Sequence, residues 1–165
     1  MQLLVFPNSY PYCNMVFDGH LQVGEYAVKT RNYNFDYRGD VLFYTSTSTA
    51  SSCVQAYDYP KGRDNHKVII GVANLVDVRL LTDKEELKMT CNFNKLSARF
   101  VKANINDPEK VPVVPFPFGY FFSNLRRFEE PVPFNWPSGP IRPQLRNIRH
   151  GSRLHQQLLA ASTNC

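Results

Sequence analysis

Residues 67–81 read KVIIGVANLVDVRLL, a stretch dense in β-branched side chains. That density predicts one long strand, and Gly71 within it indicates a bulge or a close approach of another backbone. Upstream, the apolar run in residues 41–45 (VLFYT) predicts a strand that is buried on both faces. Further strands are expected at residues 2–6, 27–33 and 119–125.

Fewer segments predict helices. Pro11 suits the first position of a helix and Asp18-Gly19 suits its end, so residues 11–17 are expected to be helical. Thr82 and Glu85 form a Thr-x-x-Glu capping box, which predicts a helix that starts at Thr82. Apolar side chains at helical spacing predict another helix over residues 92–104. The proline-rich segment 106–117 is expected to be extended or looped. Residues 131–143 hold five more prolines and are expected to wrap the surface. Strands outnumber helices without regular alternation, which favours an α+β fold on a mixed or barrel-like sheet.

The net charge of +5 is placed unevenly along the 165 residues. Four arginines and no acidic residue follow position 141, whereas the preceding chain is almost balanced. We therefore predict a near-neutral domain over residues 1–140 and a basic tail over residues 141–165. The tail arginines are spaced by 4, 3 and 4 residues, so on a helix they would share one face: Arg142, Arg146, Arg149 and Arg153. This stripe suits nucleic-acid phosphates; the alternatives are a flexible tail, or a helix that docks on the domain or on a protein partner.

Several classes of function are not expected. The four cysteines and four histidines are scattered, so neither a metal site nor a nucleophilic triad is predicted. Glycine-rich nucleotide loops are absent from the sequence, and we expect no cofactor. The apolar runs are too short to cross a bilayer, and the N-terminal residues do not resemble a signal peptide. An intracellular location, cytoplasmic or nuclear, is therefore expected.

A second group of polar residues follows the predicted strand at residues 27–33. Side chains alternate along a strand, so Lys29 and Arg31 share one face, which Tyr33 extends and Arg38 follows. Cations can bind a phosphate and an aromatic ring can stack on a base, so this face suits a nucleotide. The alternative is a solvent-exposed face with surface ion pairs. Ser46, after the buried strand, could hold a phosphate or a base edge through its hydroxyl, or could lie in an ordinary polar loop.

Three ordered segments resemble the ASCH (activating-signal-cointegrator homology) domain of the PUA-like superfamily. The first is PYCNMVFDG (residues 11–19) followed by VKTRNYNFDYRGDVLFYTS (residues 28–46). The second is IIGVANLVDVRLLT (residues 69–82), and the third is GYFFSNLRRFEEPVPFNWPSGPIRP (residues 119–143). Together they cover approximately residues 3–140.

The resemblance implies a small closed β-barrel with flanking helices and a cleft that binds RNA or a nucleotide; some members hydrolyse acylated cytidine. The family signature is Gly-x-Lys-x-x-Glu-x-Arg. Arg31 matches its Arg, whereas Lys29 stands at the Glu position and Tyr26 at the Lys position, which is catalytic in the hydrolases. A tyrosine hydroxyl is a poor substitute for an activated amine, so the family's hydrolytic mechanism is not expected here.

Together these patterns predict a nucleic-acid-binding module, with RNA favoured over DNA. Tyr26, Lys29, Arg31 and Ser46 would hold a base or nucleotide, and the tail would hold the phosphate backbone. The alternatives are a nucleoside amidohydrolase or ribonuclease, and an interaction subunit that binds a protein through its tail. A membrane is not an expected partner.

Overall fold

The computed structural model describes residues 1–31, 33–81, 118–136 and 142–163. Within these residues the chain forms one mixed sheet with a few helices, which confirms the predicted α+β class. The strands are β1 (Gln2–Tyr10), β2 (Gln22–Val23), β3 (Tyr26–Arg31), β4 (Gly39–Thr49), β5 (Val68–Leu80), β6 (Phe118–Pro133) and β7 (Gln144–Asn147). The helices are α1 (Tyr12–Phe17), α2 (Ser51–Ala56) and α3 (Arg153–Thr163), with a 3₁₀ turn at Arg63–Asn65.

The sheet has the strand order β2-β3-β6-β5-β4-β1-β7 and is open over the residues described. β1 and β4 are parallel, and the other pairs are antiparallel. The closed barrel implied by the ASCH resemblance is therefore not formed by this part of the chain. The sheet ends at β7, which pairs with residues 2–5 of β1.

The long strand predicted at residues 67–81 is confirmed as β5. A Cβ atom added to Gly71 would lie 2.7 Å from both the Arg126 carbonyl oxygen and the Phe17 ring. The pairing with β6 also shifts register between Ile69 and Gly71. Gly71 therefore marks both a close approach and an irregularity in the pairing, as its place in the strand predicted.

Apolar side chains cover both faces of the sheet and form two hydrophobic cores. On β1, Leu4 and Phe6 belong to the first core, whereas Leu3 and Val5 belong to the second. This division follows from the two-residue repeat of a strand. Buried residues of α1 and α2 join the first core, and those of α3 join the second. The sheet therefore separates two layers.

The predicted helices have different outcomes. The helix expected at residues 11–17 is confirmed as α1. The helices predicted from Thr82 and over residues 92–104 lie outside the described residues, as does the proline-rich segment 106–117. Residues 131–133, which the proline content predicts to wrap the surface, instead complete β6, where Val132 pairs with Ile69. Among the helices described, none is long and apolar enough to span a membrane.

The single helical stripe predicted for the tail arginines is wrong. Gln144–Asn147 form β7, and α3 begins only at Arg153. Between them the chain turns at Gly151, whose φ of 78° favours glycine. Pairing with the open edge of β1 satisfies the backbone of β7, and this tertiary contact overrides the helical spacing of the side chains.

Candidate functional site

A buried polar cluster lies where β3 approaches the carboxyl end of β1. Three strands separate β3 from β1 in the sheet order, so the sheet must curl to bring them together. Arg31, the last residue of β3, spans the gap. Its Nη2 donates hydrogen bonds to the Pro7 carbonyl oxygen (2.7 Å) and to the Asn8 side-chain oxygen.

Neutral groups surround the Arg31 guanidinium. Its Nη1 donates to the Thr30 carbonyl oxygen at 3.1 Å, and its central carbon lies 4.5 Å from the centroid of the Phe6 ring. Burial lowers the pKa of Arg31, while the Tyr33 side chain acts to raise it. In the portion of the chain that is described, Arg31 forms no ion pair with a carboxylate. Among the described residues, the hydrogen-bond acceptors of this buried cation are therefore uncharged.

Lys29 lies beside Arg31 and is only 6% exposed. Its Nζ sits 4.2 Å from the centroid of the Tyr12 ring, at the start of α1. Burial, followed by the positive charge of Arg31, holds the pKa of Lys29 well below its usual range. The shared face predicted for Lys29 and Arg31 thus faces inward, and the alternative of a solvent-exposed face with surface ion pairs is wrong for Lys29.

Residues that sequence reasoning missed complete the cluster. Asn8 donates from Nδ2 to the Phe6 carbonyl oxygen (3.3 Å) and contacts the Cys13 sulfur at 3.5 Å. The Cys13 thiol donates to the Tyr44 carbonyl oxygen at 3.4 Å, and burial raises its pKa to about 11. In sequence, no spacing links Asn8 and Cys13 to Arg31; only the curl of the sheet does.

Ser46 lies in β4 and not in a loop. It follows Thr45, which pairs with Asn8 of the cluster, and side chains alternate along a strand, so the Ser46 hydroxyl lies on the opposite face and does not join Lys29 and Arg31. Ser46 is 3% exposed, and β4 continues beside β1 as far as the pairing of Tyr10 with Thr49. The Ser46 hydroxyl lies 3.0 Å from that of Ser48, which in turn lies 2.6 Å from that of Ser9. The polar-loop alternative is wrong, because parallel pairing with β1 extends the strand through these hydroxyl residues.

Tyr26 does not join Lys29 and Arg31, so its predicted place in one cleft with them is wrong. Its ring packs edge-on against Phe121 at 6.2 Å. In the register of β3 with β6, Val28 pairs with Phe121 and Lys29 with Tyr120. Because side chains alternate along a strand, Tyr26 lies on the face opposite Lys29.

The other two predicted residues near β3 lie apart from each other. Tyr33 remains close to the cluster: its carbonyl accepts the Tyr120 hydroxyl at 2.8 Å, and the two rings meet edge to face. Arg38 is held in its own turn, where Nη1 donates to the Phe35 carbonyl (2.8 Å). It also pairs with the exposed carboxylate of Asp77 at 3.8 Å. Arg38 is therefore engaged locally at the surface.

The tail arginines are associated with the other layer of the sheet. Arg146 donates to the Gln144 side chain at 2.7 Å and lies 6.0 Å from the Trp136 ring, which packs on the second core. Arg153 pairs with Glu130 at 3.6 Å, at the start of the helix that covers that core. Arg142 and Arg149 are exposed. The structure thus separates the tail from the Lys29–Arg31 cluster.

These contacts define a site suited to an anion beside aromatic rings. The Arg31 guanidinium and the Lys29 amine lie among hydrogen-bonding groups where β3 approaches the carboxyl end of β1. No group of three or more histidine, cysteine, aspartate or glutamate side chains in the described chain could hold a metal ion.

The comparisons with known proteins find similarity in structure and not in sequence. No protein-family model and no curated protein matches the sequence. The structure is similar to that of an ASCH protein from Zymomonas mobilis, with a TM-score of 0.49 and 11% sequence identity. The similarity covers 95% of this chain and 93% of that chain. This is the family that the sequence segments resemble; a likeness at this level concerns the fold alone.

Proposed function

We propose that the protein is a nucleic-acid-binding module that holds an RNA base or nucleotide at the Lys29–Arg31 cluster. The observation that carries the proposal is the buried Arg31 cation, whose recorded hydrogen-bond acceptors are all uncharged. Burying a cation is costly unless an anion offsets it. A phosphate group is a suitable anion, since a guanidinium matches its geometry.

The aromatic side chains near the cluster favour a nucleotide over a simple anion. Tyr12 and Tyr33 lie close to Lys29 or Arg31. Base recognition in RNA-binding proteins combines stacking on such rings with hydrogen bonds to base edges. The choice of RNA over DNA rests on the resemblance of the sequence segments to the ASCH family.

The experiment is a binding titration with uridine monophosphate and with a short single-stranded RNA. Arg31→Gln removes the cation, and Arg153→Gln makes the same change in charge on the other layer. We expect Arg31→Gln to weaken the binding of both ligands by about tenfold or more, the value of a charged hydrogen bond. Arg153→Gln should leave the affinity for uridine monophosphate unchanged.

Two results would contradict the proposal: no measurable binding by the wild-type protein at low salt, or equal affinities for the two variants. Circular dichroism checks that Arg31→Gln folds. Arg31→Lys is the second variant, since it retains the charge but loses the forked geometry, and an intermediate affinity is expected from it.

A second candidate, a nucleoside amidohydrolase, is favoured by the lowered pKa of Lys29. A neutral amine in a buried site can act as a base or nucleophile. In this reaction water adds to the amide of an acylated cytidine, releasing a carboxylate and the free base amine. Incubation with N4-acetylcytidine, followed by chromatography, tests it: cytidine should form with the wild type and not with Lys29→Met. Absence of cytidine with the wild type would exclude this activity.

The ligand of the tail arginines stays a prediction. Their separation from the cluster leaves open whether they bind nucleic acid, as the charge predicts, or a protein partner.

A further inference from the structure

A strip of aromatic rings continues from the Lys29–Arg31 cluster along the first layer of the sheet. The aromatic strip consists of four half-buried rings: Tyr12, Tyr57, His20 and Tyr59. Its three tyrosines pack against the first hydrophobic core, which α1 and α2 also join. The strip begins at the cluster itself, because Lys29 Nζ lies 4.2 Å from the centroid of the Tyr12 ring.

Contacts with Cys53, a buried residue of α2, connect the next ring of the strip to the cluster. Burial raises the pKa of the Cys53 thiol, whereas a hydrogen bond with the Tyr12 side chain acts to lower it. The Tyr57 amide donates to the Cys53 carbonyl oxygen at 3.1 Å, directly after the end of α2. Consecutive contacts therefore lead from Lys29 through Tyr12 and Cys53 to Tyr57, all within one layer.

The outer rings of the strip contact one another and are held in place. The His20 ring lies 4.5 Å from the Tyr57 ring and meets the Tyr59 ring edge to face at 6.3 Å. The Tyr59 hydroxyl donates to the Asp18 carboxylate at 2.7 Å, and Arg127 donates to the same carboxylate at 2.7 Å. The surrounding chain thus fixes these rings while each remains partly exposed.

Rings that are held in place but partly exposed are suited to stacking on unpaired bases. Tyrosine and histidine are among the side chains on which single-stranded RNA bases stack. Every base has a π-face, so such stacking tolerates any sequence. A ring that is already held loses little conformational freedom when a base stacks on it, which favours binding.

We infer that the aromatic strip stacks on the bases that follow the nucleotide held at the cluster, so that the protein binds a single RNA strand and not only one nucleotide. The inference rests on the proposed function. Stacking on the strip neutralises no phosphate and releases no counterion, so its contribution to affinity does not depend on salt.

The experiment removes one ring at a time. Tyr57→Leu and His20→Leu shorten the strip, and Tyr57→Phe retains the ring. Phe134→Leu is the matched control, because it removes a half-buried ring that packs on the second core. Each variant is titrated with a short single-stranded RNA over a range of salt concentrations, and with uridine monophosphate. The wild type is also titrated with an RNA of equal length in which only the central nucleotide carries a base.

The two variants that shorten the strip should each bind the RNA about fivefold more weakly or worse, the expected loss for one stacked base. Their dependence of log affinity on log salt should equal that of the wild type, and so should their affinity for uridine monophosphate. Tyr57→Phe and Phe134→Leu should match the wild type with both ligands. The RNA with a single base should bind the wild type more weakly than the intact RNA.

Unchanged RNA affinity in both shortened variants would overturn the inference, as would equal affinities of the wild type for the two RNAs. A loss that extends to uridine monophosphate would also overturn it, because the damage would then lie at the cluster. The comparison of the two RNAs needs no variant, so it decides the question even if a variant does not fold. If the wild type binds uridine monophosphate but does not distinguish the RNAs, the proposed function survives; if it binds neither ligand, both proposals fail.

Discussion

The exchange of Leu158 for alanine tests whether the C-terminal segment is part of the folded domain. Leu158 is 7% exposed and lies on the face of α3 that packs on the second core. Leu154 and Ala161 share this face, at the three- and four-residue spacing of a packed helix. Leu159, the next residue, is 54% exposed. Two adjacent leucines thus allow the same substitution on opposite sides of one helix.

The expected magnitudes differ strongly. Truncating a buried leucine removes its transfer free energy and leaves a cavity, at a cost of about 2–5 kcal/mol. Truncating an exposed leucine changes stability by about 0.5 kcal/mol or less. With a urea dependence of about 2 kcal/mol per molar, Leu158→Ala should lower the urea midpoint by about 1–2.5 M. Leu159→Ala should leave the midpoint almost unchanged.

Urea titration followed by tryptophan fluorescence is the assay. Trp136 is the sole tryptophan of the sequence, and its ring stacks on Tyr44 at 5.2 Å in the second core. The signal therefore reports the layer that α3 covers. Equal midpoints for the two leucine variants would refute the packing of α3, and would favour the flexible tail that the sequence left open.

Three further predictions concern the cluster and the sheet. Burial lowers the pKa of Lys29, so between that lowered pKa and about 10.4 the unfolded chain binds more protons than the folded protein. The free energy of unfolding should therefore rise with pH across this window. Urea titrations of Lys29→Met should show a higher free energy of unfolding at neutral pH and no such rise. Gly71→Ala forces a methyl group against the Arg126 carbonyl and the Phe17 ring, so overpacking should cost about 1–3 kcal/mol and lower Tm by about 2–4 °C per kcal/mol in calorimetry. Cys13 is buried, with its pKa raised to about 11, so mass spectrometry should find it alkylated by iodoacetamide only after unfolding; rapid labelling of the native protein would contradict its burial.

Strands with strong local patterns were predictable. The β-branched run at residues 67–81 and the apolar run at residues 41–45 form β5 and β4, because burial on both faces requires such side chains. β6 extends eight residues beyond the predicted end at 125, since β5 supplies pairing partners as far as Pro133. The arginine spacing of the tail wrongly predicted one helical stripe, because backbone pairing with β1 determines the structure of residues 144–147.

The candidate site was predictable only in part. Alternation along one strand correctly placed Lys29 and Arg31 together, and the same alternation placed Tyr26 on the other face. The family signature groups all three residues, because its spacing does not specify which side chains point inward. Asn8 and Cys13 had no signal of their own.

By itself, the sequence determined the class of the fold, the main strands and the pairing of two cations on one face, because each depends on neighbours a few residues apart. Only the tertiary structure decided that the sheet is open over the described residues, that β7 occupies its edge, and that Arg31 meets Pro7 and Asn8 across three intervening strands. The physical reason is that these contacts depend on the accumulated twist and curl of the whole sheet, which no local pattern specifies.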